Sequence, residues 1–236
     1  MPSDSTPATV FFSGVGESHS SQYNSKACFR DRLNLFVQGV RRTTPLPAAV
    51  LDYGCGPGNI SLVLGGLGYN VVGLDGASGM VNLGRERAAA SGCSNVRFEH
   101  VDAASFDSSI GPFDVIVCSS VIEYVEDDVS LLKKLIASLR PGGHLLVSVP
   151  HRGNIFTPLE PIGHQIKLRM HGPRKGHLAV TCHRYKRKEF MQQLQGYGLK
   201  DIRCTSFECP VLGNIGIALS RMSFLSRMLF FEGRMS

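Results

Sequence analysis

The chain has 236 residues, an ordinary globular composition without tryptophan, and a formal net charge of +6. This length predicts a single domain over residues 1–236, large enough for a full α/β core and an insertion. Seven cysteines, an odd number, with no C-x-x-C pair and no secretory signal argue against a disulfide framework and predict free thiols in a reducing, cytoplasmic compartment. No run reaches the roughly 18 apolar residues that a membrane-spanning helix needs.

The N-terminal region is predicted to contain one helix. Residues 1–20 are rich in Ser, Pro and Gly, and we expect them to be loosely ordered and flexible. Between residues 22 and 40, apolar residues such as Phe29 and Phe36 recur at helical spacing, which predicts a cap helix that ends before Pro45.

Apolar strands and helices alternate over most of the remaining chain. The predicted strands cover residues 48–51, 71–74, 96–99, 113–118, 144–149 and 199–207, and the predicted helices cover 60–67, 80–90, 131–139 and 187–195. Several strands are apolar throughout, which indicates that both of their faces are buried. The alternation therefore predicts an α/β fold whose parallel sheet carries helices on both faces and is connected by right-handed crossovers.

Two segments do not follow this alternation. Residues 151–182 are loop-like and basic. The longer stretch 151–188 carries nine Lys or Arg and, with the adjoining Glu189, two carboxylates, which favours either an anionic acceptor or a solvated basic loop. Residues 211–231 are apolar but interrupted by two arginines. They predict either an amphipathic helix packed on the core or a helix on an anionic membrane or amphiphilic acceptor, with Met228–Phe231 as the candidate for a seventh strand.

A glycine-rich turn follows the first predicted strand. Asp52 ends the strand, and Gly54, Gly56 and Gly58 leave the backbone of the turn open to close approach by a ligand. The spacing is not the G-x-G-x-x-G of dinucleotide sites, and Pro57 removes one backbone N–H, which argues against an NAD-dependent dehydrogenase. The turn either binds a ligand without a phosphate or simply connects a strand to a helix.

The segment Asp52–Gly58 resembles the first motif of the class I S-adenosylmethionine-dependent methyltransferases, D-x-G-x-G-x-G. Four more segments resemble further motifs of that family: Val71–Asp75, His100–Ala103, Phe113–Val125 and the predicted turn Leu139–Gly143. The resemblance implies a Rossmann-like, doubly wound, mainly parallel seven-stranded sheet with a lid insertion after the fifth strand. It also implies methylation of the hydroxyl or amine of a small molecule, with S-adenosyl-L-methionine as cofactor. The alternative is a methyltransferase-like domain that binds the cofactor or a partner without turnover.

The resemblance also implies roles for individual residues. It assigns the cofactor site to Tyr23, Arg32, Asp52, Gly54, Cys55, Gly56, Asp75, Gly76, Met80, Asp102, Ala103, Cys118 and Ser119. Asp75 is expected to accept hydrogen bonds from both ribose hydroxyls, and Arg32 either binds the cofactor's carboxylate or lies on a solvated helix face. Met80 either packs on the adenine ring or fills the core, and Asp102 accepts from the adenine amino group, caps a helix, or does both.

A general base assists methyl transfer to an unactivated hydroxyl, and two histidines are candidates for it. His151 lies at the exit of the fifth strand and His183 before the last family helix, and each is either catalytic or structural. Tyr124 stands where the family often has His, which weakens the case for a base at that position.

The expected partner is a small-molecule acceptor, and membrane or amphiphile contact through residues 151–188 and 211–231 is an open alternative. No nucleic-acid partner is expected, because the fourth strand is not followed by the Asn/Asp-Pro-Pro-aromatic motif of base-modifying amino-methyltransferases. No metal site is expected either, because the histidines lack the close pairs that zinc sites use.

Overall fold

The computed structural model describes residues 6–153, 180–207 and 226–236. The helices are α1 Pro7–Ser13, α2 Gly16–Ser25, α3 Ala27–Thr43, α4 Asn59–Gly66, α5 Ser78–Ser91, α6 Asp128–Ala137 and α7 Arg187–Gly196. The strands are β1 Ala49–Tyr53, β2 Asn70–Asp75, β3 Val96–His100, β4 Phe113–Ser119, β5 Leu139–Pro150, β6 Leu199–Phe207 and β7 Met228–Met235. Two short 3₁₀ turns, Ser108–Ile110 and Ile122–Tyr124, lie beside β4.

The strands form one seven-stranded sheet in the order β3-β2-β1-β4-β5-β7-β6. The first five strands run parallel to one another, and β7 is antiparallel to both of its neighbours, β5 and β6. This confirms the predicted Rossmann-like, mainly parallel α/β fold with seven strands. The chain fills the sheet outward from β1 to β3 and then crosses to the other side of β1 with β4. The carboxyl ends of β1 and β4 therefore flank the crevice in which open α/β sheets bind ligands.

Helices cover both faces of the sheet, as the apolar strands predict. Val50 and Leu51 of β1 are both fully buried and point to opposite faces. Side chains of α3, α4 and α5 pack with Val50 on one face, whereas those of α6 and α7 pack with Leu51 on the other. This double burial explains why these strands lack polar alternation.

The predictions for the N-terminal region are wrong in two respects. Residues 1–20, predicted to be loosely ordered, include α1 and half of α2, and the single helix predicted over 22–40 is divided between α2 and α3 at Lys26, whose backbone is extended. Helix α1 begins with a capping box: the Thr6 hydroxyl accepts from Thr9 N at 3.2 Å, and the Thr9 hydroxyl accepts from Thr6 N at 3.0 Å. A segment rich in Ser and Thr predicts a loop, because their hydroxyls compete with the hydrogen bonds of a helix. At the first residue of a helix, however, the same hydroxyls accept from free backbone amides and favour the helix.

At the C-terminal end, the structure decides between the two predicted alternatives for residues 228–231. The candidate seventh strand Met228–Phe231 is confirmed as the start of β7, which is buried as far as Gly233 between two other strands, so the helical pattern that extended through Met228 and Leu229 does not hold for these two residues. Phe230 packs on Phe36 and Phe231 on Phe190, so β7 is buried on both faces and does not face a membrane. Residues 208–225, and 154–179 of the proposed lid, lie outside the described residues. None of the helices in the described ranges combines the length and apolar character that spanning a bilayer requires.

The turn predicted at residues 139–143 is also different in the structure. Strand β5 already begins at Leu139, which pairs with Phe113, and the next pair joins Val115 to His144. The residues between Leu139 and His144 therefore form a bulge opposite Asp114. Arg140 closes this bulge with an ion pair to Asp114 at 2.5 Å.

Candidate functional site

The glycine turn after β1 is held in a conformation that favours glycine. Gly54, Gly56 and Gly58 have φ angles of +69°, +53° and +77°. A Cβ at Gly54 would lie 2.1 Å from Val121, and one at Gly58 would lie 2.5 Å from Phe98, so packing also excludes larger residues there. At Gly56, by contrast, no atom of the described residues lies within 4 Å of the Cβ position. The turn is therefore closed on two sides and open at Gly56.

Backbone hydrogen bonds tie this turn to the end of β2. The amides of Gly54 and Cys55 donate to the carbonyl of Leu74 at 2.7 and 3.0 Å. Asp75 accepts from Gly56 N through Oδ2 and from Ala77 N through Oδ1, both at 2.8 Å. The two oxygens of this carboxylate therefore join the turn to the start of α5.

Asp52 places a buried carboxyl under the turn. Asp52 is only 1% exposed, and its Oδ2 accepts from the hydroxyl of Ser61 at 2.5 Å. Burial raises the pKa of Asp52 to about 7, a rise that the Ser61 hydrogen bond opposes and the charge of Asp75 increases. Within the described ranges no hydrogen-bond partner reaches Asp52 Oδ1.

Two further buried oxygens at this edge of the sheet resemble Asp52 Oδ1. Asp102 Oδ1, just beyond β3, and Ser119 Oγ, at the end of β4, also have no partner among the described residues. Asp102 precedes a turn and not a helix, and its carbonyl accepts from the amide and hydroxyl of Ser105. An unsatisfied buried polar group costs about 1–3 kcal/mol, so three of them at one edge of the sheet indicate a site for a polar ligand.

Three of the predicted site residues are buried beside the turn and the strands. Met80 is buried, and a Cβ on Gly16 of α2 would lie 3.6 Å from its sulfur, so α2 packs directly over it. Cys55 and Cys118 are buried as well, and burial raises the pKa of both thiols well above the usual value. Both thiols are therefore neutral at physiological pH and unsuited to act as nucleophiles.

Helix α1, which we call the N-terminal cover (Pro7–Ser13), lies across the exits of β2 and β4. A Cβ on Gly76 would lie 2.9 Å from the methyl group of Thr9 and 3.5 Å from Asp102 Oδ1. Ser13 accepts from Gly79 N at 3.3 Å. At the other end, the ring of Phe12 meets that of Tyr124 edge-on at 5.2 Å. The Thr6-Pro7 start and the Thr9 cap were the only sequence signal that could have revealed this helix.

Tyr23 and Arg32 come together through a third residue, Phe29. The rings of Tyr23 and Phe29 are 5.0 Å apart, and the Arg32 guanidinium carbon lies 5.1 Å from the Phe29 centroid. On its other side the guanidinium lies 5.9 Å from Phe207. Arg32 is 9% exposed, so it is held between two rings and does not lie on a solvated helix face.

The two candidate histidines have different surroundings. His151 is buried, its Nδ1 lies 3.3 Å from the carbonyl oxygen of Ser226, and its amide donates to Arg227 O. His183 is partly exposed, and its Nε2 lies 3.1 Å from the carbonyl oxygen of Glu126 in the loop after β4. A carbonyl oxygen only accepts, so this network assigns the proton of neutral His183 to Nε2 and leaves Nδ1 as an acceptor.

Sequence reasoning missed two residues at this edge. Ser61 carries the hydrogen bond to Asp52, and a lone serine in an apolar helix gave no signal. Ser120 has a φ of +56°, which is unusual for a residue other than glycine, and its amide donates to Ser148 Oγ at 3.1 Å. Strained backbone of this kind concentrates at functional sites.

Comparison with known proteins gives three results. A family model described as "Methyltransferase domain" matches residues 22–203. The ubiquinone biosynthesis O-methyltransferase of Xanthomonas axonopodis pv. citri is 30% identical over 146 residues, which are 61% of this chain and 58% of that protein. Its namesake from Ralstonia nicotianae is 31% identical over 138 residues, 58% of each protein. The chain therefore matches little more than half of the length of these curated relatives.

Solved structures with less sequence identity share the fold. The magnesium protoporphyrin IX methyltransferase of Synechocystis PCC 6803, solved with bound SAH, superposes with a TM-score of 0.69 at 17% identity, covering 99% of this chain and 100% of that one. A SAM-dependent methyltransferase of Thermotoga maritima gives a TM-score of 0.65 at 14% identity, covering 96% and 99%.

Proposed function

Because the chain belongs to the methyltransferase domain family, we propose that it transfers the methyl group of S-adenosylmethionine to a small-molecule acceptor. The observation that carries this proposal is a set of three buried oxygens, on Asp52, Asp102 and Ser119, for which the described residues provide no hydrogen-bond partner, beside a turn open at Gly56. The cofactor has an ammonium group, an adenine amino group and ribose hydroxyls, which are the donors that this edge lacks.

The residues present fit this cofactor. Asp75 would accept from the ribose hydroxyls, and Asp102 from the adenine amino group, with the amide of Ala103 next to it. The backbone at Gly56 would pass beside the methionine portion, and the guanidinium of Arg32 suits its carboxylate. The bound cofactor supplies an electrophilic methyl group, so the protein has to position the acceptor and assist the loss of its proton.

For the acceptor we propose a hydroxyl group, which agrees with the names of the curated relatives as O-methyltransferases. His183 is the better candidate for the general base, because its Nε2 contact with Glu126 orients the ring and leaves Nδ1 to accept a proton. His151 is a weaker candidate because it is buried against the Ser226 carbonyl. His183→Gln should lower kcat by roughly 100-fold or more while cofactor affinity is unchanged. His151→Gln should affect thermal stability more than kcat.

We also propose that the basic segment 151–188 favours an anionic or amphiphilic acceptor. The support is its charge of nine Lys or Arg. Five of them lie in the described part of the chain, namely Arg152, Arg184, Lys186, Arg187 and Lys188. Neutralising Arg174 and Lys175 together, both outside the described residues, should raise the KM for the acceptor and leave cofactor affinity unchanged. An effect on cofactor affinity alone would contradict a role in acceptor binding.

The function is tested by incubating the full chain with methyl-labelled S-adenosylmethionine and a panel of hydroxyl compounds, weighted toward anionic and amphiphilic ones. Transfer of label to one compound, with saturation kinetics, is the expected result. Calorimetric titration with S-adenosylhomocysteine is run in parallel. Binding of this product without transfer to any acceptor would favour the alternative of a binding domain without turnover, and absence of binding would contradict the assignment of the site.

A further inference from the structure

The carboxyl of Asp52 is fixed by a single side chain of the following helix. Ser61 lies in α4, is fully buried, and donates from its hydroxyl to Asp52 Oδ2 at 2.5 Å. Because this bond occupies Oδ2 and limits rotation of the carboxyl group, Oδ1 is the oxygen available to a ligand. Oδ1 is buried and no donor among the described residues reaches it.

The surroundings of Asp52 oppose the negative charge that a cationic ligand would need. Burial favours the neutral acid, and Asp75 on β2 adds a repulsive charge. Cys55 on the turn and Cys118 on β4 also face Asp52, and their thiols contribute no positive charge, since burial raises their pKa. The hydroxyl and the backbone amide of Ser61 are the groups that act in the opposite direction and favour the ionised carboxylate.

We infer that Ser61 is a positioning residue of the cofactor site, which supports the ionised form of Asp52 and leaves its second oxygen for the ammonium group at the methionine end of the cofactor. The inference rests on the proposed function, because it requires the cofactor to bind at the glycine turn. It makes cofactor binding a proton-linked reaction, in which Asp52 must lose its proton before or during binding.

The direction in which cofactor affinity changes with pH follows from the protonation of Asp52 in the protein without ligand. With a pKa of about 7, Asp52 is largely protonated at pH 6 and largely ionised at pH 8. The ammonium group of the ligand binds the ionised form of Asp52, so affinity should rise over this range and then level off. Removing the Ser61 hydroxyl raises the pKa of Asp52 further, so the rise moves to higher pH. Affinity near pH 7 should then fall about tenfold, and the difference from wild type should shrink by pH 9.

The experiment is calorimetric titration of the full chain with S-adenosylhomocysteine between pH 6 and 9, in two buffers of different ionisation enthalpy. Wild type should release up to one proton on binding near pH 6.5, Ser61→Ala should still release one near pH 8, and Asp52→Asn should release none. Ser138→Ala is the matched control, because Ser138 is also buried but donates to the Lys134 carbonyl at 2.9 Å, away from the site. It should behave as wild type.

Ser61→Ala is also combined with Asp52→Asn. If Ser61 acts through Asp52, adding Ser61→Ala to the Asp52→Asn variant causes no further loss of affinity. The pair Ser61→Thr and Ser61→Val, similar in shape but differing in the hydroxyl, repeats the comparison if Ser61→Ala does not fold, with Thr retaining the wild-type pH profile. Two results would overturn the role of Ser61: a pH profile of affinity for Ser61→Ala equal to that of wild type, or a further loss of affinity when Ser61→Ala is added to Asp52→Asn. In either case, binding by wild type would still uphold the proposed function. Absence of wild-type binding would contradict both.

Discussion

The glycine turn and the N-terminal cover lie at the same edge of the sheet, but different interactions hold them there. The turn is fixed by backbone hydrogen bonds to Leu74 and Asp75 on the neighbouring strand, together with three positive φ angles. The cover is joined to the site through side chains, including the contact of Phe12 with Tyr124 and a hydrogen bond of 3.3 Å from Gly79 N to the Ser13 hydroxyl. Backbone pairing within a buried sheet opens only when the sheet unfolds, whereas a seven-residue helix held through its side chains opens at lower free energy.

This difference separates two functions within one site. The turn is preformed and should determine whether the cofactor binds at all. The cover lies over the exits of β2 and β4, at Gly76 and Tyr124, so it should determine how long a bound cofactor stays. Changes to the turn should therefore abolish binding, and changes to the cover should alter dissociation.

The largest effect is expected at Gly56, where the turn is open. Gly56→Val should leave the fold intact and weaken S-adenosylhomocysteine binding by more than about 100-fold, because a branched side chain would occupy the space beside the methionine portion. Gly92→Val is the matched control, because Gly92 has a φ of +67° and equally open surroundings at the end of α5. Calorimetry on both variants would contradict the assignment if they lost affinity equally, since backbone strain alone would then explain the loss.

A smaller effect is expected at Asp75, which joins the turn to α5. Asp75→Asn keeps the shape of the side chain but loses one acceptor, so cofactor affinity should fall roughly 10- to 100-fold, the equivalent of one charge-assisted hydrogen bond. The melting temperature should fall by several degrees as well, because the backbone amides of Gly56 and Ala77 depend on this carboxylate. A 2′,3′-dideoxy analogue of S-adenosylhomocysteine tests the ribose contact. If Asp75 does not bind the hydroxyls, the variant will lose as much affinity for the analogue as for the parent compound.

The smallest effect is expected from the cover. Phe12→Ala removes an edge-on aromatic contact that contributes about 0.5–1.5 kcal/mol, which should speed cofactor dissociation roughly 3- to 10-fold in stopped-flow measurements. Gly79→Ala should act similarly by another route, because its Cβ would lie 2.4 Å from the carbonyl oxygen of Ser13 and displace the cover. Val10→Ala, at an α1 residue 60% exposed, should leave the rate unchanged. Equal rates in all four proteins would show that the cover does not retain the cofactor.

The parts of the molecule that the sequence predicted well are those determined by local interactions. The turn from Asp52 to Gly58 and the apolar strands were recognisable because glycine and unbroken apolar runs have few other interpretations. Strand β7 was predicted only as a short candidate over Met228–Phe231, because Phe230 and Phe231 face opposite sides of a buried strand, and an apolar run of this kind also fits a buried helix. The cover and Ser61 were missed because their contacts join residues distant in sequence or depend on a single hydroxyl, which no periodic pattern encodes.

The position of β7 between β5 and β6 also affects how the protein folds during synthesis. In the described part of the chain β6 is the edge strand and pairs with β7 alone, yet 20 residues separate Phe207 from Met228. At about 5–20 residues per second, the ribosome needs at least one to several seconds to make the strand that β6 requires. During that interval Phe207, fully buried in the finished protein, has only part of its packing partners. Until β7 inserts, β6 and the adjacent edge of β5 lack the strand that pairs with them. We therefore expect the incomplete sheet to be prone to aggregation at this edge for a brief period.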